Sequence, residues 1–336
     1  MVNDSKLQLI TAFAPYYKNR RVLITGADGF VGSHLAETLL ECGANVTLFV
    51  RGSSRTGCGM WSFRNIEAEP ERFSGIIAGD IASPEASRLI CDAIPEIIFH
   101  LAAIAYVDYS FTHPLEVFRV NAIGTQNVLE ATRTLQNREL VRTVIVSSSE
   151  VYGTSMTGPI REDHPLNPTS PYAASKLAAD RLAFAYRSTY NLPLAILRPF
   201  NSYGPRHIYD VIPKFIRLAL TGKPLIVHGD GAQQRDFSFV TDTLQGILLA
   251  GSHPQASAGV FNIGSGSAIS VSQLAKRIIA LSDSSSRILY DGPRKAEVAS
   301  LLADTTRAAT LLGFTASISL EQGLLANINW MRQRIA

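Results

Sequence analysis

Thr25-Gly-Ala-Asp-Gly-Phe-Val-Gly32 decides how this chain is read. The string follows the apolar run Val22-Leu23-Ile24 and opens an apolar helix through Leu35, Leu39 and Leu40. Between a strand and a helix, glycines allow a tight turn and a close backbone approach, and the helix N-terminus faces the pyrophosphate of a dinucleotide. Gly26, Asp28, Gly29, Phe30, Val31 and Gly32 are thus candidate cofactor contacts. On its own the pattern is equally well an ordinary strand-to-helix turn, and its weight comes from what surrounds it.

Further along, Tyr172-Ala-Ala-Ser-Lys176 places a phenol and an ammonium four residues apart, on one face of a helix. The cation is expected to lower the phenol's pKa. A phenolate beside a nicotinamide can take a proton from a hydroxyl while hydride leaves its carbon, so the pair points to redox chemistry on an alcohol or sugar carbon. Chance also produces Tyr-x-x-x-Lys in helices.

Outward from these strings, apolar runs alternate with helical stretches. Residues 46–50, 75–78, 97–100, 144–147 and 194–197 read as buried parallel strands, and 29–42, 124–134 and 171–190 as helices between them. That alternation predicts an α/β fold, a Rossmann-type doubly wound parallel sheet with ligands at the strands' carboxyl ends. The glycine string, Asp80, residues 101–103 and 147–150 all fall at or just past predicted strand ends, which makes that edge the active one. After Pro199 the pattern changes: 201–210 reads as a loop over the site, 212–220 as a helix and 225–228 as a short strand before a glycine turn at 229–231. There is no internal repeat and no clean linker, so two interleaved lobes are expected.

Composition bounds the partners. With 336 residues the chain exceeds the roughly 100–200 usual for one domain. Its 46% hydrophobic and 18% charged residues suit a packed enzyme, and a net charge of +3 without basic runs gives no footprint for nucleic acid. Cys42, Cys58 and Cys91 are odd in number and lack metal-ligand spacing, so no metal is expected and a reducing, cytoplasmic setting is the simplest reading. Asp4, Lys6, Lys18, Arg20 and Arg21 interrupt the N-terminal stretch, leaving neither a signal-peptide core nor a membrane span.

The motifs occur in an order that resembles the extended short-chain dehydrogenase/reductase family, the nucleotide-sugar epimerases and dehydratases, over nearly the full length. The matching strings are Gly79-Asp80-Ile81, His100-Leu-Ala-Ala103, Asn121 before Gly124-Thr125, Ser147-Ser-Ser-Glu-Val-Tyr-Gly153, Arg198-Pro-Phe-Asn201, Gly204-Pro-Arg206 and Arg235-Asp-Phe237. The resemblance implies a cofactor domain over 17–200 and 235–262 and a substrate lobe over 201–234 and 263–330. It implies further cofactor contacts at Asp80, Ile81, Leu101, Ala102, Ala103, Asn121, Ser147 and Pro199, beside Tyr172 and Lys176, and a homodimer packed through 124–134 and 171–190. His100 reads as a packed strand-end residue rather than a base.

Where many relatives carry an acid for the adenosine ribose, this chain reads Val50 followed by Arg51-Gly-Ser-Ser-Arg55. Arg51, Ser53, Ser54 and Arg55 would bind a 2′-phosphate that an acid would repel, which favours NADP over NAD; a solvated basic loop is the alternative. Ser148 occupies the family's catalytic hydroxyl position and would steady the developing 4-keto oxygen. The next pair, Ser149-Glu150, resembles GDP-mannose and UDP-N-acetylglucosamine 4,6-dehydratases, and also UDP-glucuronate decarboxylases. A carboxylate near C5 can abstract the proton that a 4-keto group acidifies; a structural glutamate is the other reading of Glu150. The diphosphate of a nucleotide sugar would meet Arg235, with Asn201, Arg206 and Arg294 assisting, and Tyr106 would lie over the sugar or in the core. A 4,6-dehydratase is expected, with 4-epimerase, decarboxylase, 4-keto-hexose reductase and a non-catalytic NAD(P)-sensing scaffold as alternatives.

Overall fold

The computed structural model describes residues 2–51, 62–155, 158–257 and 259–335. Helix α1 (Val2–Tyr17) leads into β1 (Arg21–Thr25), α2 (Phe30–Glu41), β2 (Asn45–Val50), β3 (Gly75–Ala78), α3 (Ala86–Asp92) and β4 (Ile97–His100). Then come α4 (Val107–Thr112), α5 (Pro114–Phe118), a π-helical turn (Arg119–Ile123), α6 (Gly124–Leu135), β5 (Arg142–Val146), α7 (Pro171–Tyr190) and β6 (Leu194–Pro199). The rest of the chain supplies β7 (Asn201–Tyr203), α8 (Val211–Leu220), β8 (Leu225–His228), β9 (Gln234–Phe239), α9 (Val240–Ser252) and β10 (Val260–Ile263). It ends with β11 (Ala268–Ser270), α10 (Val271–Leu281), β12 (Ile288–Asp291), β13 (Ser300–Leu301), α11 (Thr306–Leu312) and α12 (Leu320–Ile335).

Seven strands form one sheet in the order β10-β6-β5-β4-β1-β2-β3, every pairing parallel. Strands buried on both faces read as continuous apolar runs, because alternate residues feed different cores. Val22 and Ile24 of β1 pack with Leu35 and Leu39 of α2, while Leu23 between them packs with Val128 and Leu129 of α6. Ile97 and Phe99 against Ile98, and Ala195 and Leu197 against Ile196, split in the same way. The strand order reverses between β1 and β4, where Thr25 pairs with His100, and ligands of such sheets bind in the crevice above that switch point.

The stretch before β1 has no long apolar run, yet it folds as α1. Leu9, Phe13 and Tyr17, spaced four apart, are buried, and Tyr17 Oη donates to the Leu248 carbonyl at 2.6 Å. A smaller sheet runs β11-β9-β13, with β7 also paired to β9, and β8 pairs with β12. From 235 onward, β9 therefore lies in the smaller sheet, α9 packs into the core beneath the large one, and β10 forms the large sheet's edge. No helix among the described residues is long and apolar enough to cross a membrane.

Candidate active site

Two glycines of the first turn cannot be anything else. Gly26 has φ +69°, and a Cβ there would lie 2.7 Å from the Ala102 amide nitrogen; a Cβ at Gly32 would overlap the Gly26 carbonyl. The turn is thus pressed against residues 101–103. Leu101 N–H donates to the Thr25 carbonyl at 3.1 Å, and Ala102 N–H to Thr25 Oγ1 at 3.2 Å. His100 is buried between Thr25 Oγ1 (2.7 Å) and Thr125 Oγ1 (2.9 Å). Burial, with help from the Lys176 charge, pushes its pKa down to about 3, so it is a neutral strut. Asn121 ties the segment after β4 to α7: its Oδ1 accepts from Ile104 N–H at 2.8 Å, and its Nδ2 donates to the Ile104 carbonyl at 3.1 Å and to Ser175 Oγ at 2.9 Å. Ile81 is buried against Gly124, where a Cβ would come within 2.8 Å of it.

At the β2 end, Arg51 is exposed; Ser53, Ser54 and Arg55 lie outside the described residues. Asp80 pairs with Arg119 and accepts from Ala82 N–H at 2.9 Å. Partial burial raises its carboxyl, but the Ala82 amide and the charges of Arg119 and Arg51 outweigh it and leave the pKa low. Asp28 does not face outward from the glycine turn: its carboxylate accepts from the backbone of Arg64 at 2.9 Å and of Asn65 at 2.9 Å. The cramped cradle, the α2 N-terminus above it and the Ser147 hydroxyl, buried with no partner among the described residues, fit a nicotinamide dinucleotide.

The reactive groups meet where β5 ends. Ser148 caps a 3₁₀ turn (Ser149–Tyr152), its Oγ accepting from Glu150 N–H at 3.2 Å, and it hydrogen-bonds the Tyr172 phenol. Ser149 is buried beneath. Lys176 is one helical turn beyond Tyr172 on α7, but its Nζ donates to the Val146 carbonyl at 2.6 Å. The expected stabilised phenolate is not what the protein alone provides. Burial raises Tyr172 well above its ordinary value against the Ser148 hydrogen bond, and the Glu150 and Asp210 charges raise it further. Burial also brings Lys176 down to about 8. Glu150 is raised by burial, lowered by Arg235 and raised again by Asp210 and Glu297. Its carboxyl therefore holds a proton more readily than an exposed glutamate does, as suits a general acid–base group.

Arg235 faces this cluster from β9, its Nη2 2.5 Å from Glu297 and its Nη1 2.6 Å from the Val298 carbonyl. Arg294 pairs with Asp108. Asn201 Oδ1 is buried without a partner among the described residues, two residues beyond Pro199 where β6 gives way to β7. Tyr106 is not a core residue; it is 36% exposed and stacks on Tyr209 at 5.3 Å.

Arg206 departs from expectation. It is buried on the α2 side, 2.8 Å from Glu37 and 3.2 Å from Glu67, because its backbone turns with φ +71° and carries the side chain away from the cleft. In that position it ties the loop to Glu37 of α2. His34 Nε2 lies 3.0 Å from the Pro205 carbonyl, and the Phe30 ring stacks on His207 at 4.6 Å and 5°. Phe30, His34 and Glu37 are spaced as one face of α2, so the cofactor helix grips the loop over the site. Arg64 adds a second hold, donating to Tyr209 Oη at 3.2 Å. Tyr209, His207 and Asp210 escaped the sequence reading; only the Gly-, Pro-, Tyr- and His-rich composition of 201–210 marked the place.

Comparison with known proteins agrees with this geometry. The family model described as GDP-mannose 4,6 dehydratase matches residues 23–326. The chain is 33% identical to a UDP-glucose 4-epimerase of Mycolicibacterium smegmatis, covering 94% of this chain and 99% of the relative. It is also 33% identical to a UDP-N-acetyl-alpha-D-glucosaminuronate decarboxylase of Bacillus cytotoxicus, covering 94% and 98%. Among solved structures it is similar to DesIV, a dTDP-glucose 4,6-dehydratase of Streptomyces venezuelae with NAD and TYD bound, at TM-score 0.81 and 31% identity, covering 93% and 97%.

Proposed function

Because this chain belongs to the extended short-chain dehydrogenase/reductase family, in its nucleotide-sugar epimerase and dehydratase branch, we propose that it is a nucleotide-sugar 4,6-dehydratase. The observation that carries the reading is Glu150, a half-buried carboxyl fixed on the turn that Ser148 caps and close enough to Tyr172 for its charge to raise the phenol.

Tyr172, beside Ser148, must first release its phenol proton to solvent; as the phenolate it takes the 4-hydroxyl proton as C4 becomes a ketone. A nicotinamide dinucleotide, which the glycine turn at 26–32, residues 101–103 and Lys176 would hold, would supply the hydride acceptor for C4 and donor for C6, so that none is consumed. With C4 a ketone the C5 hydrogen is acidic; Glu150 removes it and delivers a proton to the departing 6-hydroxyl, which leaves as water. A proton returns to C5 at the end. Arg235 and Arg294 exchange Glu297 and Asp108 for the diphosphate.

NAD serves the similar DesIV structure; for this chain the exposed Arg51 supports NADP(H), and paired dissociation constants for the two cofactors distinguish them. Residues 17–200 with 235–262 would hold the cofactor, and 201–234 with 263–330 the sugar nucleotide. We also place the protein in the cytoplasm as a homodimer through α6 and α7, of which α7 exposes Phe184 and Tyr190; light scattering reads that state.

The test is Glu150→Gln with mass spectrometry of a nucleotide-sugar panel. The native enzyme should remove water and admit solvent deuterium at C5. In the variant C4 oxidation should persist, with reduced cofactor accumulating, while elimination and exchange stall. Unchanged product formation by Glu150→Gln removes the dehydratase reading; unchanged substrate mass indicates an epimerase, and loss of CO₂ a decarboxylase.

A further inference from the structure

We infer that the sugar pocket selects a hexose without a carboxylate, and that Asp210 is the residue that sets this choice. The inference rests on the nucleotide-sugar reading above. Asp210 stands at the N-cap position of α8, yet its carboxylate makes no capping hydrogen bond. Its backbone has φ +67° and ψ −178°, a region that is essentially glycine's and that other residues hold at functional sites when surroundings impose it. The surroundings are in view: Oδ2 lies 3.1 Å from His207 Nε2, and the His207 ring is stacked on Phe30 of the glycine turn. The preceding residue, Tyr209, is stacked on Tyr106. The carboxylate is thus pinned between the cofactor turn and the Tyr106 side of the cleft, and it is half-exposed there.

From that position its charge raises Tyr106, Tyr172 and Glu150, three groups on three different segments. Held by His207 and next to the Tyr209–Tyr106 stack, Asp210 therefore stands on the Tyr106 side of the space whose charge Glu150 shares. The cations around this space are committed: Arg235 to Glu297 and two carbonyls, Arg294 to Asp108, and Lys176 to the Val146 carbonyl. Among the described residues, Arg235 and Arg294 are the guanidiniums whose charges reach Glu150, and a diphosphate that takes both leaves neither to pair with the sugar. A hexuronate carries its carboxylate on C5, beside the carbon assigned to Glu150, and would meet two acidic side chains without a counter-ion. A hexose presents a neutral CH₂OH at that point and accepts or donates hydrogen bonds to the same groups. Discrimination by an unpaired charge is a strong filter, because the rejected ligand loses solvation without replacement.

The experiment is calorimetric titration of UDP-glucose and of UDP-glucuronate into the full-length, cofactor-loaded protein and two variants. Asp210→Asn keeps shape and removes charge. Asp210→Gly removes the carboxylate and suits the backbone conformation, so a folding defect in one variant leaves the other to decide. The native protein should bind the hexose at least tenfold more tightly than the hexuronate, and in both variants that ratio should shrink at least fivefold, mainly through tighter hexuronate binding. A residue that only props up the loop would weaken both ligands and leave the ratio alone. Equal or tighter hexuronate binding by the native protein, or a ratio unmoved in both variants, overturns the inference. Binding of neither sugar nucleotide overturns it together with the reading beneath it. Selective UDP-glucose binding without loss of water retires the dehydratase chemistry and leaves the selectivity standing.

Discussion

Tyr172 and Lys176 are identified by type and spacing, but their state is set by burial. The phenol is driven up and the ammonium down to about 8, so the protein alone holds Tyr172 as a neutral phenol while Lys176 still carries its proton at neutral pH. The proposed oxidation then requires the Tyr172 phenol to lose its proton before it can accept one from the sugar hydroxyl. Tyr172→Phe should leave the fold and cofactor affinity unchanged and lower turnover by about 10²–10⁴, the range for losing a general acid–base group; steady-state kinetics beside circular dichroism check it. Near-native turnover would remove Tyr172 from the chemistry. Ser148, Glu150, Tyr172 and Lys176 could be picked out of the sequence because their side-chain types are those the chemistry needs. Asp210 could not, since nothing about an aspartate in a loop announces a φ of +67° or a histidine three residues back. Arg206 misled for the same reason: its guanidinium suits a phosphate, and its positive φ sends it elsewhere.

Among elements, α2 has two duties. Its N-terminus roofs the glycine cradle, and its face at Phe30, His34 and Glu37 holds residues 205–207. Glu37 and Arg206 form a buried pair, and removing one partner strands the other charge away from water. Glu37→Ala should cost about 3 kcal/mol, the lower end for breaking such a pair, because Glu67 remains as a partner for Arg206. Denaturant unfolding measures the loss, and a change below about 0.5 kcal/mol would mean the pair does not anchor the loop. Six of the seven large-sheet strands were readable from the sequence because each feeds two cores and so appears as an apolar run; the edge strand β10 was not. The smaller sheet was not: β7, β11 and β13 are two or three residues long and only partly buried, leaving no period to detect. Helix α1 left a faint trace in Leu9, Phe13 and Tyr17, too sparse among charged neighbours to read as a core face.

For the whole molecule, two buried histidines set an acid limit. Burial lowers His34 to about 4 and His100 to about 3, both from near 6.5. Between those values and 6.5 the unfolded chain binds protons that the folded chain refuses, so stability falls as pH drops through that window and is flat above it on their account. Each histidine can contribute up to about 1.4 kcal/mol per pH unit there. Urea unfolding at pH 7, 5.5 and 4.5 should show the midpoint dropping, and His34→Gln should flatten part of the slope. A midpoint independent of pH over that range would show that neither imidazole is held neutral.

The grip of α2 on the loop also bears on how such a chain can be recombined. Residues 30, 34 and 37 and residues 205–207 lie some 170 positions apart in sequence but form one fitted joint, with a ring stack, a carbonyl contact and an ion pair. A chimaera that takes its first half from this chain and its second from a relative breaks all three fits at once, however well each half folds. Exchanging residues 29–37 together with 201–210 keeps the joint whole. The natural unit of inheritance here is a pair of distant segments, and its boundary runs across the two lobes instead of between them.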